Sequence, residues 1–366
     1  MAKDRKRIGI STGGGDAPAL NAVIRAAVRT ALSYGWEIYG ILNGFAGLLD
    51  PKKYIKKLGE EDIRGILVRG GTILGTTNRG NPFALKKLIN GKEVEVDKSR
   101  VILRNFRKLK LDGIIAIGGD GTLSIANRIS EMGIPVIGVP KTIDNDLSCT
   151  AITFGFDTAV STATDALDRL HSTAESHKRV MVVEVMGRNA GWIALHSGVA
   201  GGADVILIPE IPFEMKYVTK KIEERYAANR EFAIVVAAEG ATPKGGLQFT
   251  KVKSGGEVRL GGIGEWVARE IERRTGRETR SIVLGHLQRG GRPTTFDRLL
   301  ATRFGAASVR FFKAGLTGQM VALNPPDIVG VPLSEAIRRI KLVPPTSDII
   351  LTARELGVSF GDEWPE

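Results

Sequence analysis

Two apolar runs, each closed by an acidic loop, restrict this chain more than any other feature. Leu111 to Ile117 runs into Gly118-Gly119-Asp120-Gly121-Thr122, and Ile134 to Val139 runs into Pro140-Lys141-Thr142-Ile143-Asp144-Asn145-Asp146. A helix-like segment, Leu123 to Met132, joins them. Strand, loop, helix, strand, loop is a βαβ unit. Its right-handed crossover brings both loops out at the carboxyl edge of one parallel sheet, where open α/β sheets bind their ligands. Three aspartates and a lysine are thereby directed to a single edge.

The same alternation runs through most of the chain. Strands are expected at 7–11, 37–42, 179–186, 204–208, 232–237 and 280–284, and helices at 19–33, 157–175, 190–199, 214–228, 265–275 and 295–313. For the first helix, Asp16 is the expected N-cap with Pro18 in the first turn. The stretch 50–100 is expected as loops over a site, 241–264 as a glycine-rich connection, and 320–366 as a less regular tail. Such alternation predicts a parallel, doubly wound α/β protein in two lobes. The boundary falls near 145–157, with the chain crossing back after about 290.

Composition excludes several classes. With 366 residues, 43% hydrophobic and 25% charged, the chain has material for well-filled cores. No apolar run approaches the roughly 20 residues of a membrane span. The start, Met1 to Arg7, is basic but leads directly into a strand, so no signal peptide is expected. One cysteine, Cys149, rules out an internal disulfide framework and fits a reducing cytoplasm. A net charge of +12 suggests an anionic partner, with a generally basic background the equal alternative for the figure itself. The basic residues are dispersed, with little aromatic interleaving, which favours phosphorylated metabolites over nucleic acid.

The loops suggest phosphate chemistry. In Gly118 to Thr122, two glycines before an acid and Gly-Thr at a helix start let backbone N–H groups face a phosphate chain. Asp120 is then placed to hold a Mg²⁺ that bridges phosphate oxygens; the plainer alternative is a simple turn. No Gly-x4-Gly-Lys-Ser/Thr motif and no Gly-x-Gly-x-x-Gly directly after a strand occurs. In the second loop Asp144 can accept the proton of an attacking hydroxyl, with Asp146 orienting neighbours or assisting a metal. The plainer alternative there is an Asx-rich turn. Arg179, Arg188, Arg280 and Arg289 can bind a phosphate, and Glu239 and His286 can bind sugar hydroxyls. Each arginine alone is more commonly a surface ion pair. Grouped at strand ends, these residues are expected to form one site.

The chain resembles the 6-phosphofructokinases from Arg7 to about Ala314. The motifs that carry the resemblance are Gly-Gly-Asp-Ala-Pro (14–18), Gly-Gly-Asp-Gly-Thr (118–122), Pro-Lys-Thr-Ile-Asp-Asn-Asp (140–146), Val-Met-Gly-Arg (185–188) and Leu-Gly-His-Leu-Gln-Arg-Gly-Gly (284–291). NAD kinases and some lipid kinases share the second motif but do not require the third together with the fourth. The resemblance implies an α/β fold of two doubly wound parallel-sheet lobes with the active site in the cleft between them. Residues 1–155, completed by about 290–340, would bind nucleotide and magnesium, and 156–289 would bind fructose 6-phosphate. It implies transfer of a phosphoryl group, with Mg²⁺, to the 1-hydroxyl of that sugar, the donor being either ATP or pyrophosphate.

By motif, Asp144 matches the family's base and Asp120 its Mg²⁺ ligand, while Thr142 and Arg188 join Asp144 in catalysis. Gly15, Phe45, Arg79, Gly80, Gly119, Gly121 and Thr122 match positions around the nucleotide. Thr142, Arg179, Met186, Gly187, Arg188, Glu239, Arg280, His286 and Arg289 match the sugar-phosphate contacts, with Arg179 and Arg280 supplied by a neighbouring subunit, hence a homo-oligomer. Pyrophosphate-using members typically have a second aspartate after Gly-Gly-Asp and a lysine in the Pro-Lys-Thr loop, whereas common ATP-using members have glycine at both places. Here Gly121 stands with Lys141, one feature of each. A carboxylate at 121 would crowd and repel an α-phosphate, so glycine favours ATP. Arg25 and Arg29 match two effector-site arginines of bacterial members, but His171 stands at another basic position, so allosteric control is expected to be weak or absent.

Overall fold

A computed structural model of the chain describes residues 5–77, 80–89, 92–252 and 258–363. It divides into two units: 1–143 with 147–157 and 289–340, and 144–146 with 158–288 and 341–366.

In chain order the first unit contains β1 (Arg7–Thr12), α1 (Leu20–Ser33), β2 (Glu37–Ile41), α2 (Pro51–Tyr54), β3 (Ile55–Leu58), a hairpin β4 (Leu85–Ile89) and β5 (Lys92–Val96), α3 (Ser99–Lys108), β6 (Gly113–Gly118), α4 (Asp120–Glu131) and β7 (Val136–Pro140). Helix α5 (Phe156–His177) contains the division after Asp157. The second unit follows with β8 (Val180–Val185), α6 (Trp192–Ala200), β9 (Val205–Leu207), α7 (Met215–Ala227), β10 (Ala233–Ala238), a hairpin β11 (Thr250–Val252) and β12 (Val258–Leu260), α8 (Ile263–Thr275) and β13 (Thr279–Val283). The chain returns to the first unit for α9 (Thr295–Lys313), β14 (Gln319–Asn324), β15 (Asp327–Pro332) and α10 (Leu333–Ala336), and ends in the second with α11 (Asp348–Glu355).

The first unit is built on a seven-stranded sheet in the order β15-β14-β7-β6-β1-β2-β3. Its inner pairs are parallel, and β3 and β15 close the edges antiparallel. Strand β6 shows why both faces must be covered. Ile115 and Ile117 join α1 and α9 in one buried cluster, whereas Ile114 and Ala116 join α3 and α4 in another. Alternate side chains leave opposite faces of a strand, so a strand apolar at every position needs a helical layer on each side. Burying each large side chain this way contributes roughly 1.5–3 kcal/mol. The second unit repeats the design with a parallel four-stranded sheet, β13-β8-β10-β9. Val180, Val182, Val235 and Ala237 pack there with α7 and α8.

The alternation read from sequence is present, and α9 has the expected bounds. Its cap is Thr294, whose hydroxyl accepts from the Asp297 amide at 3.3 Å. Several expectations are corrected. Asp16 does not cap α1; the helix begins at Leu20 behind Ala19, which holds a left-handed φ of 73° with no side-chain cap. Helix α4 begins at Asp120 rather than Leu123, because the turn after β6 passes directly into it. The stretch 50–100 is not loop alone: it holds α2, β3, the β4–β5 hairpin and the start of α3. Likewise 241–264 contains a hairpin, and 320–366 supplies the β14–β15 edge of the large sheet. The sheet is therefore parallel at its centre and mixed at its edges. No helix among the described residues is long and apolar enough to cross a membrane.

Candidate active site

On the first unit, adjacent parallel strands β1 and β6 deliver two glycine turns to the same edge. The amide of Gly13 donates to the Ile117 carbonyl at 2.9 Å, and that of Gly14 to the Thr77 carbonyl at 3.2 Å. Thr122, in the first turn of α4, is the wedge between the turns. A Cβ at Gly13 would lie 2.7 Å from its hydroxyl, and one at Gly118 would lie 2.3 Å from its Cβ. The paired glycines thus exist to admit Thr122, which brings the helix start against the β1 loop. The amides of the first turn of α4 have no acceptors earlier in the helix and carry the positive end of its dipole. Asp120, exposed, opens that turn, and a Cβ at Gly121 would meet no atom from outside its own turn within 4 Å.

Strand β7 brings the next loop alongside. The Lys141 amide donates to the Gly118 carbonyl at 3.0 Å, and its buried side chain extends under the β1 loop, where Nζ donates to the Gly15 carbonyl. Thr142 is buried, and its carbonyl accepts from the Thr153 hydroxyl at 2.7 Å. Arg289 belongs here too: its Nη1 donates to the Asp16 carbonyl at 3.0 Å. Phe45 is buried among Ile41, Leu48, Ile102 and Phe106, and Gly80 adjoins Thr77 and Ala46. Arg79 lies outside the described residues.

Mg²⁺ commonly binds proteins through one or two carboxylates and completes its shell with substrate phosphates and water. Among the described residues no cluster of three or more His, Cys, Asp or Glu could cage a metal. Exposed Asp120 at the start of α4, beside the helix's first-turn amides, fits a phosphate-borne Mg²⁺ and does not fit a cation held by protein alone.

The second unit presents its own strand ends. Strands β8 and β10 are parallel neighbours, so Met186-Gly187-Arg188 emerges beside Glu239-Gly240. The two turns interlock: Glu239 N donates to Val185 O at 2.9 Å and Gly240 N to Gly187 O at 3.0 Å. A Cβ at Gly240 would stand 2.0 Å from the Arg188 carbonyl oxygen, so only glycine lets the turns meet. Arg188 and His286 are exposed and Glu239 is half-buried. The Met186 amide donates to Gln288 Oε1 at 3.4 Å, tying the His286 turn to this edge.

Two expected members are elsewhere. Arg179 precedes β8 and Arg280 is the second residue of β13, in register with Met181, so both sit at the amino end of the sheet. Each pairs with Glu278, at 2.8 Å and 2.5 Å, and the Arg179 guanidinium holds that carboxyl below its usual range. Arg280 thus stands at the opposite end of β13 from the His286 turn, and the expected grouping of all these residues in one site is not met within one unit. A six-residue strand separates the two ends by roughly 20 Å.

Asp144-Asn145-Asp146 belongs to the second unit. Asn145 is buried with a left-handed φ of 52°. Lys341, far downstream, donates its amide to the Asp146 carbonyl at 2.8 Å and its Nζ to Asn145 Oδ1 at 3.3 Å. Burial pushes this ammonium down to about 8, although the Asp146 carboxylate acts to raise it. Sequence reasoning missed Lys341, since nothing local marks a lysine in an irregular tail. It also missed Glu184, whose buried carboxylate accepts from the Gly264 amide at 2.9 Å and pins the start of α8. A lone acid in Val-Met-Val-Val-Glu-Val was the available signal.

Arg25 and Arg29 line a separate cavity of about 270 Å³ with Glu60, Glu61 and Arg64, while a His171 ring nitrogen is 2.7 Å from the Gly201 carbonyl oxygen.

The glycine turns and helix start on one unit offer backbone amides of the kind that accept phosphate, and the strand edge on the other offers an arginine, an acid and a histidine. The family model "Phosphofructokinase" matches residues 7–312, and the chain belongs to that family. It is 54% identical over 363 residues to the ATP-dependent 6-phosphofructokinase of Chloroflexus aggregans, covering 99% of this chain and 100% of that one. It is 52% identical over 344 residues to the pyrophosphate–fructose 6-phosphate 1-phosphotransferase of Amycolatopsis methanolica, covering 93% and 96%. Among solved structures, phosphofructokinase from Saccharomyces cerevisiae aligns with a TM-score of 0.78 and 30% identity over 91% of this chain, which spans 45% of that one.

Proposed function

We propose that this chain transfers the γ-phosphoryl group of ATP to the 1-hydroxyl of fructose 6-phosphate, giving fructose 1,6-bisphosphate and ADP in the cytoplasm. The observation that carries this is the assembly of Gly13–Gly15, Gly119–Thr122 and Lys141–Thr142 at one sheet edge, from which the chain runs directly into Asp144. Amides at the start of α4 bind donor phosphate oxygens, with Gly15, Phe45, Arg79 and Gly80 around the nucleotide. Asp120 would hold Mg²⁺, which when bound neutralises phosphate charge. Asp144 takes the proton of the 1-hydroxyl as its oxygen bonds to phosphorus and the bond to the ADP oxygen breaks. Thr142 and Arg188 fix the transferring group, and Met186, Gly187, Glu239 and His286 bind the sugar.

The remote place of Arg179 and Arg280, both on Glu278, supports their acting on a second copy of the chain, and hence a homo-oligomer, a dimer or tetramer, with shared sites. For the donor, the open space at Gly121 supports ATP. Lys141 supports pyrophosphate as a second reading, because it sets a cation against the donor loop. Initial rates of the purified protein with ATP, ADP and pyrophosphate at equal Mg²⁺ decide between them. ATP should give the highest kcat/KM, and preference for pyrophosphate would overturn the ATP assignment.

A further inference from the structure

The segment after α10 lies beyond the residues matched by the family model, yet it holds the loop assigned to catalysis. The three residues Asp144 to Asp146 lie in no helix or strand, so no ladder of backbone hydrogen bonds fixes them. The strap at 341–343 braces them from outside the loop. Lys341 bonds the loop twice, by its amide to Asp146 O at 2.8 Å and by its ammonium to Asn145 Oδ1 at 3.3 Å. The strap is itself anchored twice on the start of α6. Trp192 Nε1 donates to the Lys341 carbonyl at 2.9 Å, and the Lys341 ammonium sits 5.3 Å from the centre of that indole ring. Glu210 accepts from the Val343 amide at 2.8 Å and from the Gly191 amide at 3.1 Å. Residues separated by some two hundred positions thus form a clamp: α6 and Glu210 hold the strap, and the strap holds the loop.

We infer that Lys341 is a positioning residue for phosphoryl transfer, fixing the Asn145 side chain and Asp146 backbone so that the Asp144 carboxylate meets the acceptor hydroxyl. The inference rests on Asp144 being the base. An ammonium hydrogen-bonded to a buried amide holds geometry more strongly than a neutral pair. A base displaced by about an ångström can lose on the order of 100-fold in rate.

Lys341→Met keeps an unbranched side chain of similar length and removes the charged donor. It should lower kcat by roughly 10- to 100-fold with the KM values for ATP and fructose 6-phosphate held within about threefold. Lys341→Arg should restore most of the rate. Hydrogen exchange in the segment 141–150 should be faster in Lys341→Met and unchanged in the Gly13–Gly15 loop. A variant with lower melting temperature but normal kcat and exchange overturns the inference, as does a rise in fructose 6-phosphate KM alone. If Lys341→Met fails to fold, Asn145→Ala carries the test: normal kcat in that variant overturns the clamp. Wild-type protein without sugar-phosphate kinase activity would refute the assigned function instead, and the exchange comparison would still decide whether Lys341 holds the loop.

Discussion

Gly121→Asp isolates the donor question in one side chain. Its stability effect is small by construction, because a Cβ at this position meets nothing within 4 Å. The residue is the second of α4, where replacing glycine gains up to ~0.5 kcal/mol of helix propensity and an acid gains ~0.3–1 kcal/mol from the dipole. The melting temperature should therefore hold or rise slightly. The donor effect has the opposite sign. A carboxylate about 6 Å from a phosphate charge is repelled by ~0.7 kcal/mol at the dielectric of water and ~2.8 kcal/mol at an effective dielectric of about 20. That range lowers kcat/KM for ATP by roughly 3- to 100-fold. Pyrophosphate has no α-phosphate to meet the new group and should lose less. Steady-state rates with both donors on one preparation give the ratio directly. An unchanged ratio, with melting temperature preserved, would refute the claim that space at 121 selects the donor.

Asp144→Ser should lower turnover by several orders of magnitude while calorimetry still detects fructose 6-phosphate binding; near-normal turnover would remove Asp144 as the base. Gly240→Ala places a methyl 2.0 Å from the Arg188 carbonyl, a full ångström inside the closest tolerable contact, so the turn carrying Arg188 must move. Activity at subsaturating fructose 6-phosphate should fall on the order of 100-fold, and wild-type kinetics would show the interlock to be dispensable. Glu37 is held down to about 2, from an ordinary 4.5, first by its hydrogen bond from Lys57 and then by Tyr39 and Arg5. Its contribution is complete above pH 4.5 and disappears as pH falls toward 2. Glu37→Gln should melt earlier at pH 7 and show a flatter decline across that window; parallel melting curves would exclude the Lys57 network as an acid-sensitive element.

Much of the fold was legible because its information is local. Helices such as α9 carry both an apolar period and a cap, and central strands such as β6 and β10 are short apolar runs bounded by glycine or charge. Strand β3, at the antiparallel edge of the large sheet, and the separate β4–β5 hairpin were not legible. Ile-Lys-Lys-Leu in β3 and the Leu-Lys-Lys-Leu-Ile and Lys-Glu-Val-Glu-Val strands of the β4–β5 hairpin are broken by lysines and glutamates, so no continuous apolar run announces them. Their existence depends on the strand they pair with. The site divided in the same way. Gly118 to Thr122 and Pro140 to Asp146 could be placed at a sheet edge from the βαβ pattern alone. The partner of Arg280 could not, because the register that sets it beside Arg179 and Glu278 at the amino end of β8 is a pairing between distant strands.

The sequence alone determined the alternating α/β class, the family motifs and the loops where strands β1, β6, β7, β8 and β10 deliver their chemistry, since spacing and residue type state these directly. Tertiary structure alone decided which glycine faces which side chain, that Lys141 is spent on the Gly15 carbonyl, that Arg179 and Arg280 share Glu278 at the far edge, and that Lys341 grips Asn145 and Asp146. Those facts are pairings between residues distant in the chain. No local period encodes them, and they arise only when the packed sheets and helices bring the partners together.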